Sequence, residues 1–319
     1  MPYSLKADRW RGTSPSSPEP TLNNVRRGQL FPVSPFSSEF WRAEVDTTSC
    51  ALQMNAYYLM AGYMNTVSFA ATFVWCGYQS GNTTQLAIAV ARLWEGERKH
   101  FLLADRQALT SLLSFIIGAL VARFGGNLMG ARSRGWFILG TFLQALLTMA
   151  AAISIWQSGQ GYPGISDDRF TTGPAWNDEV SFLCLVFMSA SMGMQGLMSL
   201  RLKTNSGATL PLTTTWCELM GVDALFSFTR LDTPRDQRVY GIGSVFLGGL
   251  AARGIAFKLG SPGVLAVGVG LRVLISLSWC LVPNTPEPED VKEQQEAEKR
   301  PGLEQGQYQA STPSGSSQV

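Results

Sequence analysis

Residues 76–93, CGYQSGNTTQLAIAVARL, set a polar patch between two apolar runs. The run before the patch, about 50–76, is long enough to cross a bilayer, whose core of ~30 Å needs roughly 20 mostly apolar residues in a helix. The run inside the quoted stretch, 82–94, is 13 residues long. That is too short to cross. The same event recurs once more. Six stretches pass the length test: about 50–76, 106–124, 135–156, 180–200, 239–258 and 263–282. Two fail it, 82–94 and 209–222, and each follows a polar patch, SGNTT in one case and TNSG in the other. One reading makes them surface loops with short amphipathic helices. The other makes them re-entrant or broken segments, whose irregular backbone is tolerated at membrane depth only inside protein or beside a water-filled cavity.

The composition fits a membrane chain. Of 319 residues, 45% are hydrophobic and 15% charged, where a soluble domain carries about 25% charged residues. The mean hydropathy of +0.07 averages two unlike materials. Residues 1–45 and 284–319 are rich in Ser, Pro, Glu, Gln and Arg and read as disordered tails. The apolar body lies between them: a first membrane repeat over 50–158, an extramembrane connector over 159–179 and a second repeat over 180–283. The N-terminal tail has basic residues and no apolar core, so it does not read as a cleaved signal peptide.

Several function classes fall away. The net charge is +2 with no basic stripe, which argues against nucleic acid. The five cysteines lack CxxC spacing, and His100 is the one histidine. Neither a metal site nor a Ser-His-Asp triad is expected, and no cofactor is implied. The Gly-rich GIGSVFLGG from Gly241 has Phe246 where a dinucleotide fingerprint needs its third glycine. The chain is not read as an enzyme.

Shifted by 130 residues, the sequence matches itself without a gap. SFIIGALVAR at 114–123 falls on SVFLGGLAAR at 244–253, Asn65 on Gln195, and Thr83 and Thr84 on Thr213 and Thr214. Each half is thus a long span, a polar patch, a short helix and two more spans. If the short segments do not cross, each half has three spans and the halves are inverted. If they cross, the halves are parallel. Length selects the first. The expected fold is an all-α integral membrane bundle of about six spans in two inverted three-span repeats, each with a short re-entrant or broken helix. Basic residues gather on the side of the N-terminus, which places both termini in the cytoplasm and leaves the identity of the membrane open.

AGYMNTVSF…SGNTTQLAIAVARLWEG and FMSASMGMQGLMSLRLKTNSGATLPLTTTWCELM resemble the two signature regions of the YoaK-like multispan membrane proteins, domain of unknown function 1275. The resemblance covers about residues 50–283. The family has TGN where this chain has SGN at Ser80, and Pro211 is a further departure before the second Thr run. The resemblance implies a multispan membrane protein and no particular substrate.

Inside this frame some residues stand out. Ser80, Asn82, Thr83 and Thr84 are residue types that cap a helix start, and Gly81 permits positive φ. The same groups suit a polar solute path. Asn65 and Gln195 are amides at depth, which glue helices together or meet a solute. Arg272, near the middle of the last span, needs a partner, and Glu218 is the expected one. With Thr213 and Thr214 these complete the substrate-path candidates. Small residues four apart, such as Ser114/Gly118 and Ser244/Gly248, suit close helix packing in the bundle or a homo-oligomer contact. Trp41, Trp75, Trp94, Trp136, Trp156 and Trp279 are expected at the interfaces. The leading expectation is a carrier of a small, unknown solute in the lipid bilayer. A non-transporting membrane scaffold or assembly subunit, binding through its tails, is the alternative.

Overall fold

The computed structural model describes residues 37–96, 100–160, 175–202, 204, 209–223, 225–226 and 233–285. The described residues are helical: α1 Ser38–Arg42, α2 Ala51–Thr72, α3 Gln79–Trp94, α4 Leu103–Met129, α5 Arg134–Ser158, α6 Glu179–Leu202, α7 Leu212–Met220 and α8 Thr233–Ser278. A single 3-10 turn, Trp279–Leu281, follows α8. Four stretches are long and apolar enough to cross a membrane: α4, α5, α6 and Thr233–Leu281. Such helices are those of an integral membrane protein.

Helix α2 is not among the four. Its inward residues include Tyr57, Tyr58, Tyr63, Asn65 and Gln53, which lower its hydropathy, and all five are buried. It is wrapped by protein and so does not need the apolar surface that lipid demands. Helix α4 shows the opposite balance, with Leu113, Ile117, Phe124 and Leu128 exposed.

The 46 residues of α8 are two helical pieces. Gly260 breaks them, with φ 70° and ψ −173°, a conformation open essentially to glycine alone. Pro262 then sits near the start of the second piece, where its missing N–H costs little. The two pieces run in opposite directions along α2. In the first, Gly241 lies on Tyr58 and Val245 on Gly62. In the second, Tyr63 donates to Val264 O at 2.6 Å and Gln53 to Ser278 O at 3.1 Å.

The packing is reciprocal between the halves. Helix α2 packs on α8 and α4 packs on α6, while α5 packs on both α6 and α8. Glycines set both close crossings. A methyl on Gly118 of α4 would lie 2.0 Å from Ala190 O of α6, and one on Gly193 would lie 2.1 Å from Phe115 O. A methyl on Gly248 of α8 would lie 2.0 Å from Leu59 O of α2, and one on Gly62 would lie 1.9 Å from Val245 O. The small-residue faces at Gly118 and Gly248 are therefore taken up within the chain.

One end of the bundle gathers both ends of the described chain. Val45 bridges Asn284, Glu44 bridges Ser133, and the Arg134 guanidinium holds Val282 O and Asn284. Residues 37–45, placed in the tail on composition, belong to this fold: Phe40 and Val45 are buried, and Arg134 lies over the Phe40 ring. Residues 1–36 and 286–319 lie outside the described residues. The opposite end holds the close of α2 and the start of α4. There Ala175 N donates to Ala71 O, and Gln107 donates to the carbonyls of Ala175 and Trp176. Trp176 of the connector is buried against this end, while its neighbours Asn177 and Glu179 are exposed. Residues 161–174 lie outside the described residues.

Gly248→Val and Gly118→Val should each lower the unfolding midpoint in detergent by an amount equivalent to about 1–3 kcal/mol or more, because the added atoms meet a backbone carbonyl that cannot yield. Gly270→Ala is the control. A methyl there meets nothing within 4 Å, and its midpoint should not fall.

Candidate functional site

Helix α2 ends at Phe73, whose φ of 60° turns the chain. Residues 73–78 then double back along α2, because their N–H groups find partners on its last two turns. Cys76 N donates to Ser68 Oγ at 3.1 Å, and Gly77 N to Asn65 Oδ1 at 2.8 Å. Helix α3 thus begins level with Asn65, well short of the end of α2. Its 16 residues extend about 24 Å at 1.5 Å per residue, less than a bilayer core. It leads to the start of α4, where Arg92 clasps Asp105 through two contacts of 2.7 Å.

Asn82 ties down the other side of this irregular backbone. It accepts from Trp75 N at 3.2 Å and donates to Trp75 O at 2.6 Å, to Gln79 Oε1 at 2.8 Å and to Ser111 Oγ at 3.2 Å. It is 1% exposed, so the Asn82-Thr83-Thr84 sequon is not open to glycosylation. Ser111 links on to Ser189 of α6 at 2.9 Å.

The polar patch differs from its expected role. Its residues lie inside α3 and do not cap it. The N-cap position is Tyr78, with no side-chain cap. Gly81 is not among the positive-φ glycines. Thr83 and Thr84 are exposed and bond back to Gln79 O and Ser80 O, four residues earlier. Helix α7 is likewise uncapped, at Pro211. Of the TNSG patch only Thr204 lies among the described residues.

The starts of the two short helices meet. A cleft of about 700 Å³ is lined by Trp75, Gly77, Tyr78, Gln79, Ser80 and Gly81 on one side, by Leu210, Pro211, Leu212 and Thr213 on the other, and by Phe115. Phe115 is near the midpoint of α4, about 20 Å from either end at the usual helical rise, so the cleft lies halfway through the bundle. A neighbouring cavity of about 390 Å³ shares Trp75, Tyr78 and Leu212 and is walled by Asn65, Thr66 and Val245.

Of the expected path residues, Ser80, Gly81 and Thr213 line the main cleft and Asn65 lines the neighbouring cavity. Thr84 lines a separate surface groove with Arg92 and Asp105. Gln195 is buried behind the site and donates to Tyr57 O at 2.9 Å, joining α6 to α2. Thr214 and Glu218 are exposed and line none of these spaces. The expected Glu218–Arg272 pair does not form. Glu218 binds Arg238 at 3.1 Å on the following helix. Arg272 is fully buried and donates to Gln144 Oε1, Ser191 Oγ and Met192 Sδ.

The aromatic walls were not read as site residues. Trp75, expected at an interface, stacks on Phe69 at 3.9 Å between centroids and lies 5.6 Å from Tyr78. Trp136 and Trp279 are also interior, the latter stacked on Phe137. Trp41, Trp94 and Trp156 are exposed. Trp75 and Tyr78 directly precede SGNTT, and that adjacency was the available signal. Phe115 had none, because only the packing of α4 on α6 brings it to the cleft.

Among the described residues no group of three or more His, Cys, Asp or Glu side chains is placed to hold a metal. A family model described as protein of unknown function DUF1275 matches residues 53–278. The chain belongs to this family. The match takes in α2 to α8, and with them both short helices and the cleft of this DUF1275 protein. No curated protein and no solved structure matches it.

Asn82→Leu should lower the unfolding midpoint, because it leaves the N–H of Trp75 without its partner at about 1–3 kcal/mol for a buried group, while the Trp75 carbonyl keeps Ser111. Thr83→Ala, at an exposed position, should stay within about 0.5 kcal/mol of the parent chain. Melting of the purified protein in detergent compares the two.

Proposed function

We propose that this DUF1275 protein is a membrane carrier of a small solute, built of two inverted three-span repeats, with its site in the cleft between the two short helices. The observation that carries the reading is the cleft itself. It joins the start of α3 to the start of α7, two segments far apart in sequence and related by the 130-residue shift. Irregular backbone at membrane depth is tolerated where it lines a cavity, and inverted repeats with such breaks near the midplane recur in solute transporters.

The course of the chain supports the inverted arrangement. Helices α2, α4, α5 and α6 and the two pieces of α8 make six passes between the ends of the bundle, while α3 and α7 start in its middle. Helix α3 leads to the end where α4 begins, through Arg92–Asp105. Helix α7 leads to the other end, where α8 begins, through Glu218–Arg238. Each short helix is thereby tied to the next long one by an ion pair, and the polarity is reversed between the halves. The reciprocal packing of α2 on α8 and α4 on α6 favours a shared site between repeats over a scaffold acting through its tails, which has no use for a central cleft.

Thiol labelling tests this in the native membrane, with the other cysteines replaced. Cys217 is exposed on α7 and Trp94 is exposed at the end of α3. A membrane-impermeant reagent should reach Cys217 from one face and a Trp94→Cys thiol from the opposite face. Ser80→Cys and Thr213→Cys should react from both faces, because a carrier opens its site to each side in turn. Labelling of Cys217 and Trp94→Cys from the same face would sink the inverted arrangement. Labelling of the two cleft positions from one face only would sink the carrier.

A further inference from the structure

We propose that the cleft takes a small organic anion, a monocarboxylate in chemical class, with Arg272 as the buried charge that selects it. This rests on the carrier reading and adds the class of solute. Two independent features of the structure point the same way. The first is the chemistry of the cleft wall. Among the described residues its lining carries no charged side chain, and it includes the hydroxyl-bearing residues Tyr78, Ser80 and Thr213. The Tyr78 hydroxyl is buried without a partner. Helix α3 begins at the wall with no side-chain cap, whereas at the start of α7 Leu212 N and Thr214 N already donate to Leu210 O and Pro211 O. Unsatisfied N–H groups and the positive end of the helix dipole gather at an uncapped start such as that of α3. The wall is thus rich in donors, and a solute with acceptor oxygens meets that need. Trp75, Tyr78 and Phe115 supply apolar faces for the rest of the solute.

The second feature is Arg272. It is 0% exposed, no ion pair reaches it among the described residues, and its Nε has no partner. Its hydrogen bonds go to a neutral amide, a hydroxyl and a thioether. A buried cation without a counter-charge is costly, and an anion nearby relieves that cost. The guanidinium stands one side chain behind the cleft. Met192 Sδ accepts from Arg272 Nη2 at 3.4 Å, and the Met192 methyl lies 3.1 Å from where a Cβ on Gly77 would be. Gly77 is part of the cleft wall. Methionine is unbranched and readily changes rotamer, so Met192 is the movable partition between solute and charge. In a low-dielectric interior the field of Arg272 reaches the cleft with little screening.

Three probes of one shape and different charge test the proposal on the purified full-length chain in detergent: benzoate, benzamide and benzylammonium. The readout is the shift of the unfolding midpoint with probe concentration. Benzoate should bind at least tenfold more tightly than benzamide, and benzylammonium should give no shift. Arg272→Gln should bring benzoate down to the benzamide level. Ser80→Asp, at an exposed position whose change leaves the core intact, should abolish the benzoate shift and admit benzylammonium. That variant keeps the proposal falsifiable even if Arg272→Gln does not fold. Equal binding of benzoate and benzamide, both lost on narrowing the cleft with Ser80→Trp, would overturn the anion class and leave the carrier reading standing. Benzoate binding indifferent to Ser80→Asp, or no shift with any probe, would overturn the proposal. The labelling experiment decides the carrier separately.

Discussion

Inside an apolar body, backbone that leaves the helix must find partners for its N–H and C=O groups, and the rest of this structure is arranged around that demand at residues 73–78. Asn65, Ser68 and Asn82 meet it with side-chain hydrogen bonds of 2.6–3.2 Å. Each unmade bond at depth would cost several kcal/mol. The partners come from α2 and α3 themselves, with Ser111 of α4 closing the network. Once residues 73–78 are held against α2, helix α3 has to start in the middle of the bundle, and a cleft opens at its first turn.

The same constraint explains why the interior is polar where lipid is excluded. Tyr57 meets Thr141, Gln195 meets the α2 backbone, and Arg272 meets Gln144 and Ser191. None of these pairs joins opposite charges. The ion pairs lie at the margins, where Arg92–Asp105 and Glu218–Arg238 fasten the short helices to their neighbours. Glu218 is the more exposed member of its pair, with 41% of its side chain accessible. A carboxylate that keeps its water and its own arginine has no reason to move inward to Arg272.

Close packing fixes the rest. Gly62, Gly118, Gly193 and Gly248 bring helix backbones together at two crossings, one in each pairing of halves. Dispersion at such short range is strong in total, and in lipid it replaces the hydrophobic drive that soluble helices rely on. The crossings also set Phe115 against one cavity and Val245 against the other.

Much of this was legible in the residues. The all-helical, apolar body follows from hydropathy and spacing, because lipid imposes a length on any helix that crosses it, but the backbone leaves the helix at 73–78, ahead of the SGNTT patch, whose residues lie inside α3. The break between the last two spans was legible for a similar reason, since LGSPG combines a glycine able to take positive φ with a proline suited to a helix start. Pairing was not legible. The sequence offered Glu218 to Arg272 because a charge inside a span needs a partner and the second short helix carries an acid, yet charge carries no direction, and in the fold Glu218 pairs with Arg238 instead. Nor did the sequence show that Trp75 stacks on Phe69 and lines the cleft, or that Trp279 is buried against Phe137. Local chemistry by itself determined that two short helices interrupt the long ones. Only tertiary packing decided which side chains meet at the resulting cleft, because contacts between the halves depend on helix rotation and crossing, which one-dimensional spacing does not encode.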